Sequence, residues 1–323
     1  MLQRRMMDHT FHIRSYRGED EAGLIELWNS CLTSDTITAG CFRTRVLLDS
    51  NFSPAGLLIA EKNGQLVGFI LSIIRQVPLY GQGLEPEKGW ITAFGVHPDH
   101  QLQGIGSELF NRCISRLKEM GRKEIYISPY TPNYFIPGVD ITAYAPAVRF
   151  LQASGWQIIS TPIAMQAHFL HPPAFSETTI LEQQLSEAGI SVHPILSSDL
   201  AELMPFLSEH FGWDWFRFAQ EYLLELFGKG ADDICFLVAR CQRKIIGYCQ
   251  QRRERFGPFG VLPDFRGKGV GRLLLSRCLQ EMYARGFHCA WFLWTGKHNI
   301  RIYSQAGFQP AREFAVMKYE IKG

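Results

Sequence analysis

At 323 residues the chain is long enough for two ordinary domains, and 46% hydrophobic with 20% charged residues is the composition of a globular protein. A net charge of +2 supplies no global field for nucleic acid or an anionic membrane, although a local cluster can still hold a small anion. No apolar run approaches the roughly 20 residues of a membrane span, and MLQRRMMDHTFHIRSYRGED lacks the apolar segment of a leader, so a cytoplasmic protein without a membrane partner is expected.

In chain order the predicted elements run through one cycle and then repeat it. A helical zone opens at Glu19-Asp20-Glu21, followed by a hairpin with strands at Leu58–Ala60 and Gly68-Phe69. Next come a strand, Trp90–Val96, a glycine loop, and a helix whose apolar residues Leu109, Phe110, Cys113, Ile114 and Leu117 recur at helical spacing. Gly121 stands where a C′ glycine ends a helix. A strand at Glu124–Ser128, a short helix ending in Gly155-Trp156, and a last strand near Ile163–Phe169 complete the cycle.

The joint falls near His171-Pro172-Pro173, where the residue before proline favours extended chain, and Glu177–Ala188 reads as a linker helix. The second cycle has its helical signal at Ser197-Ser198-Asp199, its hairpin at Leu237–Ala239 and Gly247-Tyr248, and a strand at Phe256–Val261. The helix of Leu274, Leu275, Cys278, Leu279 and Met282 ends at Gly286. Strands at Cys289–Trp294 and Phe314–Tyr319 flank the Gly307-Phe308 pair.

The repeat is visible residue by residue. Phe94–Gly121 and Phe259–Gly286 align without a gap, with eleven of twenty-eight positions identical, including Gly104/Gly106 against Gly269/Gly271. The expected organisation is a domain over residues 1–172, a linker helix over 173–189 and a second domain over 190–323. Two domains in one chain suit a monomer or a homodimer. The first copy is longer by thirteen residues between its helix-ending glycine and its Gly-aromatic pair, with the excess around Pro129–Asp140. Eight cysteines without a CxxC pair read as buried reduced thiols, with no metal site expected.

The glycine loops carry the chemistry. Gln101-Leu102-Gln103-Gly104-Ile105-Gly106 and Arg266-Gly267-Lys268-Gly269-Val270-Gly271 both lie between a strand and a helix. Glycines let backbone N–H groups approach a ligand closely, and the helix start adds about half a positive charge, which suits a pyrophosphate. In the second copy Arg266, Lys268 and Arg272 add cations, whereas Gln101 and Gln103 are neutral. Neither loop fits GxxxxGK[ST], and a GxGxxG read from Gly269 would need its third glycine at Leu274. A plain strand-to-helix turn is the alternative, and its recurrence in the same context twice argues against it.

Strand, (Gln/Arg)xxGxG, helix, strand and a short helix ending in Gly-aromatic resembles the GNAT superfamily of N-acetyltransferases, over nearly the whole chain and twice. The resemblance implies an α/β (α+β) fold with a splayed mixed sheet in each of two tandem domains. It implies acetyl-CoA between the fourth and fifth strands, its pantetheine paired with Phe94, Gly95 and Val96 or with Phe259, Gly260 and Val261. In RFGPFGV, Pro258 cannot donate a ladder bond and Gly257 and Gly260 weaken regular pairing, which fits either a splay or a bulged edge strand.

The implied activity is transfer of acetyl to a primary amine of a small molecule through a tetrahedral intermediate. The family's acid is often a tyrosine four residues before the Gly-aromatic pair. That position is Tyr303 in the second copy and Leu151 in the first, so catalysis is expected in the second domain and a degenerate, perhaps CoA-holding role in the first; Tyr303 also fits simple packing. Asn299 resembles the family's cofactor-contacting asparagine or caps the short helix. Glu254 is the first candidate base, ahead of His288 and His298. Trp213, Asp214 and Trp215 suit an amine through cation–π and ionic attraction, or belong to the core. A non-catalytic acyl-CoA-binding or sensing module is the alternative function, and a first domain active through its longer loop is a third reading.

Overall fold

The computed structural model describes residues 11–170 and 175–322. The chain divides into two compact units, Met1–Thr161 with Phe314–Gly323, and Pro162–Glu313.

The first unit opens with β1 (His12–Ser15) and a turn in which the Asp20 carboxylate accepts the Arg17 backbone N–H at 2.7 Å and both Arg14 guanidinium nitrogens at 2.7 Å. This fixes the chain entering α1 (Glu21–Cys31), and α2 (Ala39–Phe42) follows. The hairpin β2 (Leu57–Lys62) and β3 (Gln65–Ile73) turns at Asn63-Gly64, whose φ values of 53° and 77° are those a tight two-residue turn needs. After β4 (Lys88–Val96) the glycine loop leads into α3 (Ile105–Glu119). The face of α3 carrying Leu109, Phe110, Cys113 and Leu117 is buried, and the Gly121 N–H closes the helix on Lys118 O at 2.9 Å. Then come β5 (Glu124–Ile127), β6 (Val139–Asp140), α4 (Ala145–Ala153) and β7 (Gln157–Ser160).

The second unit repeats the plan. It contains β8 (Ile163–His168), α5 (Phe175–Glu187), β9 (Ile190–Pro194), α6 (Leu200–His210) and α7 (Trp213–Lys229). The hairpin β10 (Ile234–Cys241) and β11 (Lys244–Arg252) is followed by β12 (Arg255–Val261), α8 (Val270–Ala284), β13 (Cys289–Thr295) and α9 (Ile300–Gln305). Asp199 plays the part of Asp20, accepting the Leu196 N–H at 2.9 Å and Arg240 at 2.7 Å. The last strand, β14 (Gln309–Glu320), belongs to both units: Gln309–Glu313 lies in the second and Phe314 onward in the first.

Both sheets are mixed. In the first, β1-β2-β3-β4 is antiparallel, β4 and β5 are parallel, and β5 pairs antiparallel with β14. In the second, β9-β10-β11-β12 is antiparallel, β12 and β13 are parallel, and β13 pairs with β8. The parallel pairs are short. The β4–β5 register ends at Ile91↔Ile127, and β12 meets β13 only at Arg255↔Trp291, so in each unit the strands part towards the glycine loop.

The expected closing strands change places. Ile163–His168 pairs with β13 in the second unit, and Phe314–Glu320 pairs with β5, β6 and β7 in the first. Met165 and Ala167 are buried in the second unit's core, while Ala315 and Met317 are buried in the first unit's. The boundaries 1–172 and 190–323 therefore do not describe the compact units. A strand's alternation of apolar residues demands a sheet edge but does not say which, and two copies of one domain offer the same edge twice. The predicted helix after the joint is α5, and its Leu181 and Leu185 are buried in the second unit's core. The joint itself, His171-Pro172-Pro173, lies outside the described residues.

Among the described residues no helix is long and apolar enough to cross a membrane, and no group of three or more His, Cys, Asp or Glu is placed to hold a metal ion. All eight cysteines are free thiols.

Candidate active site

The first unit encloses a cavity of about 540 Å³ where β4 and β5 part. It is lined by Phe94, Gly95 and Val96 and by Gln101, Leu102, Gly104 and Gly106 of the loop, so most of the residues expected to hold the donor in this copy do converge. Gly104 sits at φ 83° with nothing within 4 Å of a Cβ placed there, and a Cβ on Gly106 would meet Val96 Cγ2 alone, at 3.7 Å. The loop thus presents bare backbone at the start of α3, where an anion is favoured. Gln101 Nε2 donates to Val96 O at 3.2 Å and Arg266 Nε to Val261 O at 3.0 Å, so this position ties the loop to the strand end in both copies. Ile105 and Val270 are buried in the cores and anchor the helix starts.

The loop of the first copy has a cation after all. Lys62, at the end of β2, places Nζ 3.1 Å from Gln103 Oε1. It lies 41 positions away in the chain, which is why the loop sequence alone reads as neutral.

Beyond the loop the cavity reaches polar groups that the sequence reading did not single out. Tyr144, next to α4, donates its hydroxyl to Asp35 Oδ2 at 2.8 Å, and both residues line the cavity. The Asp35 backbone is held by the Trp28 indole N–H at 3.0 Å. Thr92 is the bulged residue of β4: Leu71↔Ala93 is followed by Ser72↔Ile91 in the pairing with β3. A bulge re-aims a side chain. The buried Thr92 hydroxyl lines the cavity without a hydrogen-bond partner among the described residues. A buried hydroxyl left unpaired costs about 1–3 kcal/mol, which a ligand acceptor atom would offset.

Cys31, at the end of α1, also lines this space, and burial pushes its thiol up to about 12. A thiol held protonated at neutral pH is a poor nucleophile, so direct transfer to an amine fits the cavity better than an acetyl-cysteine intermediate.

The insertion Pro129–Asp140 forms one wall, with Phe135, Ile136 and Gly138 on the cavity. It is pinned from within. The buried Tyr130 hydroxyl donates to Asp49 at 3.0 Å and accepts from Asn51 Nδ2 at 2.8 Å, while Asn133 reaches Asp49 at 2.6 Å.

In the second unit the same places are filled. A Cβ on Gly260 would lie 2.2 Å from Phe211 Cε1, and Phe211 stacks on Trp215 at 5.4 Å. A Cβ on Gly269 would lie 2.9 Å from Leu181 Cδ1 of α5, and Gly271 faces Ile302 and Phe259 at 3.5 and 3.6 Å. Tyr303 packs among Phe292, Phe259 and Phe308, at ring-centre distances of 4.5, 5.7 and 5.8 Å. Its phenol hydrogen-bonds with Thr295, and burial holds its pKa above the usual tyrosine range.

The remaining expected site residues of this unit are dispersed. The Asp214 carboxylate is taken by Arg217, at 2.9 and 3.0 Å, and Trp213 opens α7. Glu254 precedes β12 at the end away from the loop, five residues or about 16 Å of extended chain from Phe259. There its carboxylate accepts the His288 N–H at 3.3 Å. Asn299 is exposed at the start of α9 and makes no side-chain cap. Lys268 lies over the Phe265 ring at 5.2 Å, and Arg272 is exposed.

Comparison with known proteins agrees with this architecture. The model of the acetyltransferase (GNAT) family matches residues 22–134, and that of the acetyltransferase (GNAT) domain matches 232–310; together they take in more than half of the chain. An acetyltransferase of Pectobacterium atrosepticum is 28% identical over 128 residues, 39% of this chain and 82% of that protein. A GCN5-related glucosamine N-acetyltransferase region of a fungal multi-domain GH3 β-N-acetylglucosaminidase superposes with a TM-score of 0.77 at 18% identity, covering 96% of this chain and 38% of that one. A GCN5-related N-acetyltransferase from Sphaerobacter thermophilus gives 0.69 at 15% identity, covering 98% and 97%. A tandem GNAT protein from the clavulanic acid biosynthesis pathway gives 0.62 at 14% identity, covering 97% and 99%. The chain spans little more than a third of the fungal protein and nearly the full length of the other two. It belongs to the GNAT acetyltransferase family, as a tandem member and an acyltransferase.

Proposed function

We propose that this protein transfers acetyl from acetyl-CoA to a primary amine and that the working site is in the first unit. The observation that carries the proposal is the cavity between the parting strands β4 and β5, which opens onto Gly104 and Gly106, while side chains occupy the matching positions of the second unit.

The residues present fit the donor. The backbone at Gly104–Gly106 and the start of α3 would hold the pyrophosphate, with Lys62 supplying mobile charge nearby. Phe94–Val96 would pair with the pantetheine arm, and the orphaned Thr92 hydroxyl would donate to an acceptor atom of the bound thioester. Asp35 attracts the ammonium and takes one proton from it, passing it to solvent. The free amine forms the new N–C bond at the acetyl carbonyl. As the C–S bond breaks, the second proton goes from nitrogen to the departing sulfur, so the products are the acetamide, the free thiol and one proton. Tyr144 holds the Asp35 carboxylate in place through its hydroxyl. The second unit, with its cleft filled by aromatic rings, serves as structural partner.

The test is steady-state acetylation across an amine panel. Asp35→Asn is expected to lower kcat/KM by about 100-fold or more, while Tyr303→Phe changes it less than about two-fold. The opposite ranking would return catalysis to the second unit. Tight CoA binding with no amine acetylated would favour a binding or sensing module instead.

A further inference from the structure

The walls of the first unit's cavity say what kind of amine it takes, an inference that rests on the reading just given. Around Asp35 the surface is aromatic. Trp28 stacks on Phe69 at 5.1 Å and meets Phe135 edge-on at 4.8 Å, and Ile136 and Leu32 extend the same wall. Asp35 is the only carboxylate among the lining residues described, and no Lys or Arg is among them. Ser30, the nearest hydroxyl on α1, spends its donor on Glu26 O at 2.9 Å. The wall carrying Phe135 is also preorganised, because the insertion is tied down at Tyr130, Asn133 and Ser128.

We infer that the acceptor is a lipophilic primary amine, such as an arylalkylamine, that carries no carboxylate or phosphate. Its ammonium sits on Asp35 and its apolar body lies against Trp28 and Phe135. The choice follows from what each class leaves unpaired. An anionic acceptor finds one like charge and no cation. A sugar amine must desolvate several hydroxyls beside rings that offer them no partner, at about 1–3 kcal/mol for each group left unsatisfied. An ammonium on an aromatic body is attracted by both the carboxylate and the ring faces, and its apolar surface is removed from water.

The decisive experiment follows thiol release from acetyl-CoA by the full chain, with 2-phenylethylamine, glucosamine and phenylalanine as acceptors. Phenylethylamine is expected to exceed the other two in kcat/KM by about 30-fold or more, the ratio set by one or two unpaired polar groups. Phe135→Ala is expected to raise KM for phenylethylamine about 10-fold while leaving kcat within about two-fold, as loss of uniform binding requires. Equal or better turnover of glucosamine or phenylalanine overturns the inference, as does a failure to acetylate any of the three. Gly106→Glu separates this from the underlying reading. If it abolishes turnover of whichever amine is used, the first unit remains the site even when the acceptor class is wrong. If turnover survives it and is lost with Gly271→Glu, the site itself has been misplaced.

Discussion

The two units share a backbone and differ in what stands on it. At the end of the first helix, Cys31 lies against Gly95, its Cβ 2.7 Å from the position a Gly95 Cβ would take, whereas Phe211 lies against Gly260. At the loop, Gly104 faces open space and Gly269 faces Leu181. One helical turn on, Gly106 sees only Val96, but Gly271 sees Ile302 and Phe259. The bulged Thr92 corresponds to Gly257, and Tyr144, eleven residues before Gly155, corresponds to Gly296. The same parted strands therefore enclose a cavity in one unit and an aromatic core in the other. A duplicated binding device keeps its turn and helix geometry even where the volume it once framed is filled, because filling it buries apolar surface and stabilises the fold.

Exchanging the plug is the most severe way to break this comparison. Cys31→Phe places a ring in the first cavity as Phe211 does in the second unit, and it is expected to lower kcat/KM by about 100-fold or more while the thermal midpoint moves by only a few degrees. The reciprocal Phe211→Cys is expected to cost about 2–4 kcal/mol in denaturant unfolding, the usual penalty of a truncated packed ring, with turnover unchanged. Activity that survives Cys31→Phe would mean that the cavity is not the site.

Thr92→Val keeps the shape and removes only the hydroxyl. Because that hydroxyl has no partner among the described residues, stability should hold or rise slightly, while kcat/KM falls about 5- to 10-fold, the worth of one hydrogen bond. A drop in stability without a drop in turnover would show the hydroxyl to be part of the fold.

The smallest effect concerns Cys31. Its thiol is neutral until about pH 12, above the usual value near 8.5. The stability tied to its burial is thus fully present below about pH 8.5 and is lost as pH rises towards 12. Cys31→Ser is expected to leave turnover within about two-fold, and iodoacetamide at pH 8 should label Cys31 far more slowly in the native than in the unfolded chain, read by mass spectrometry. Rapid native labelling would contradict the burial.

Much of the fold was legible because it rests on local rules: paired helix signals at Asp20 and Asp199, the Asn63-Gly64 hairpin, and glycines that end α3 and α8. The loops were legible for the same reason. What stayed hidden depends on tertiary neighbours. Pattern alone could not assign Ile163–His168 and Phe314–Glu320 to each other's sheets. Tyr303 stood at the family's catalytic spacing, yet spacing cannot tell a phenol facing a cavity from one packed among Phe292, Phe259 and Phe308. Asp35, Thr92, Tyr144 and Lys62 are scattered over four segments and become a site only when β4 parts from β5. The loop between the first two helices had been read for acceptor residues in the second copy alone, and the same rule applied to the first would have reached Asp35.

Isothermal titration with CoA tests most directly which unit is the transferase site. The wild-type chain is expected to bind one CoA, Gly106→Glu to bind none, and Gly271→Glu to bind one with unchanged affinity. A carboxylate at Gly106 enters open space at the phosphate cradle without displacing a neighbour, so its effect reads binding and not folding. Undiminished binding in Gly106→Glu together with loss in Gly271→Glu would contradict the assignment of the site to the first unit.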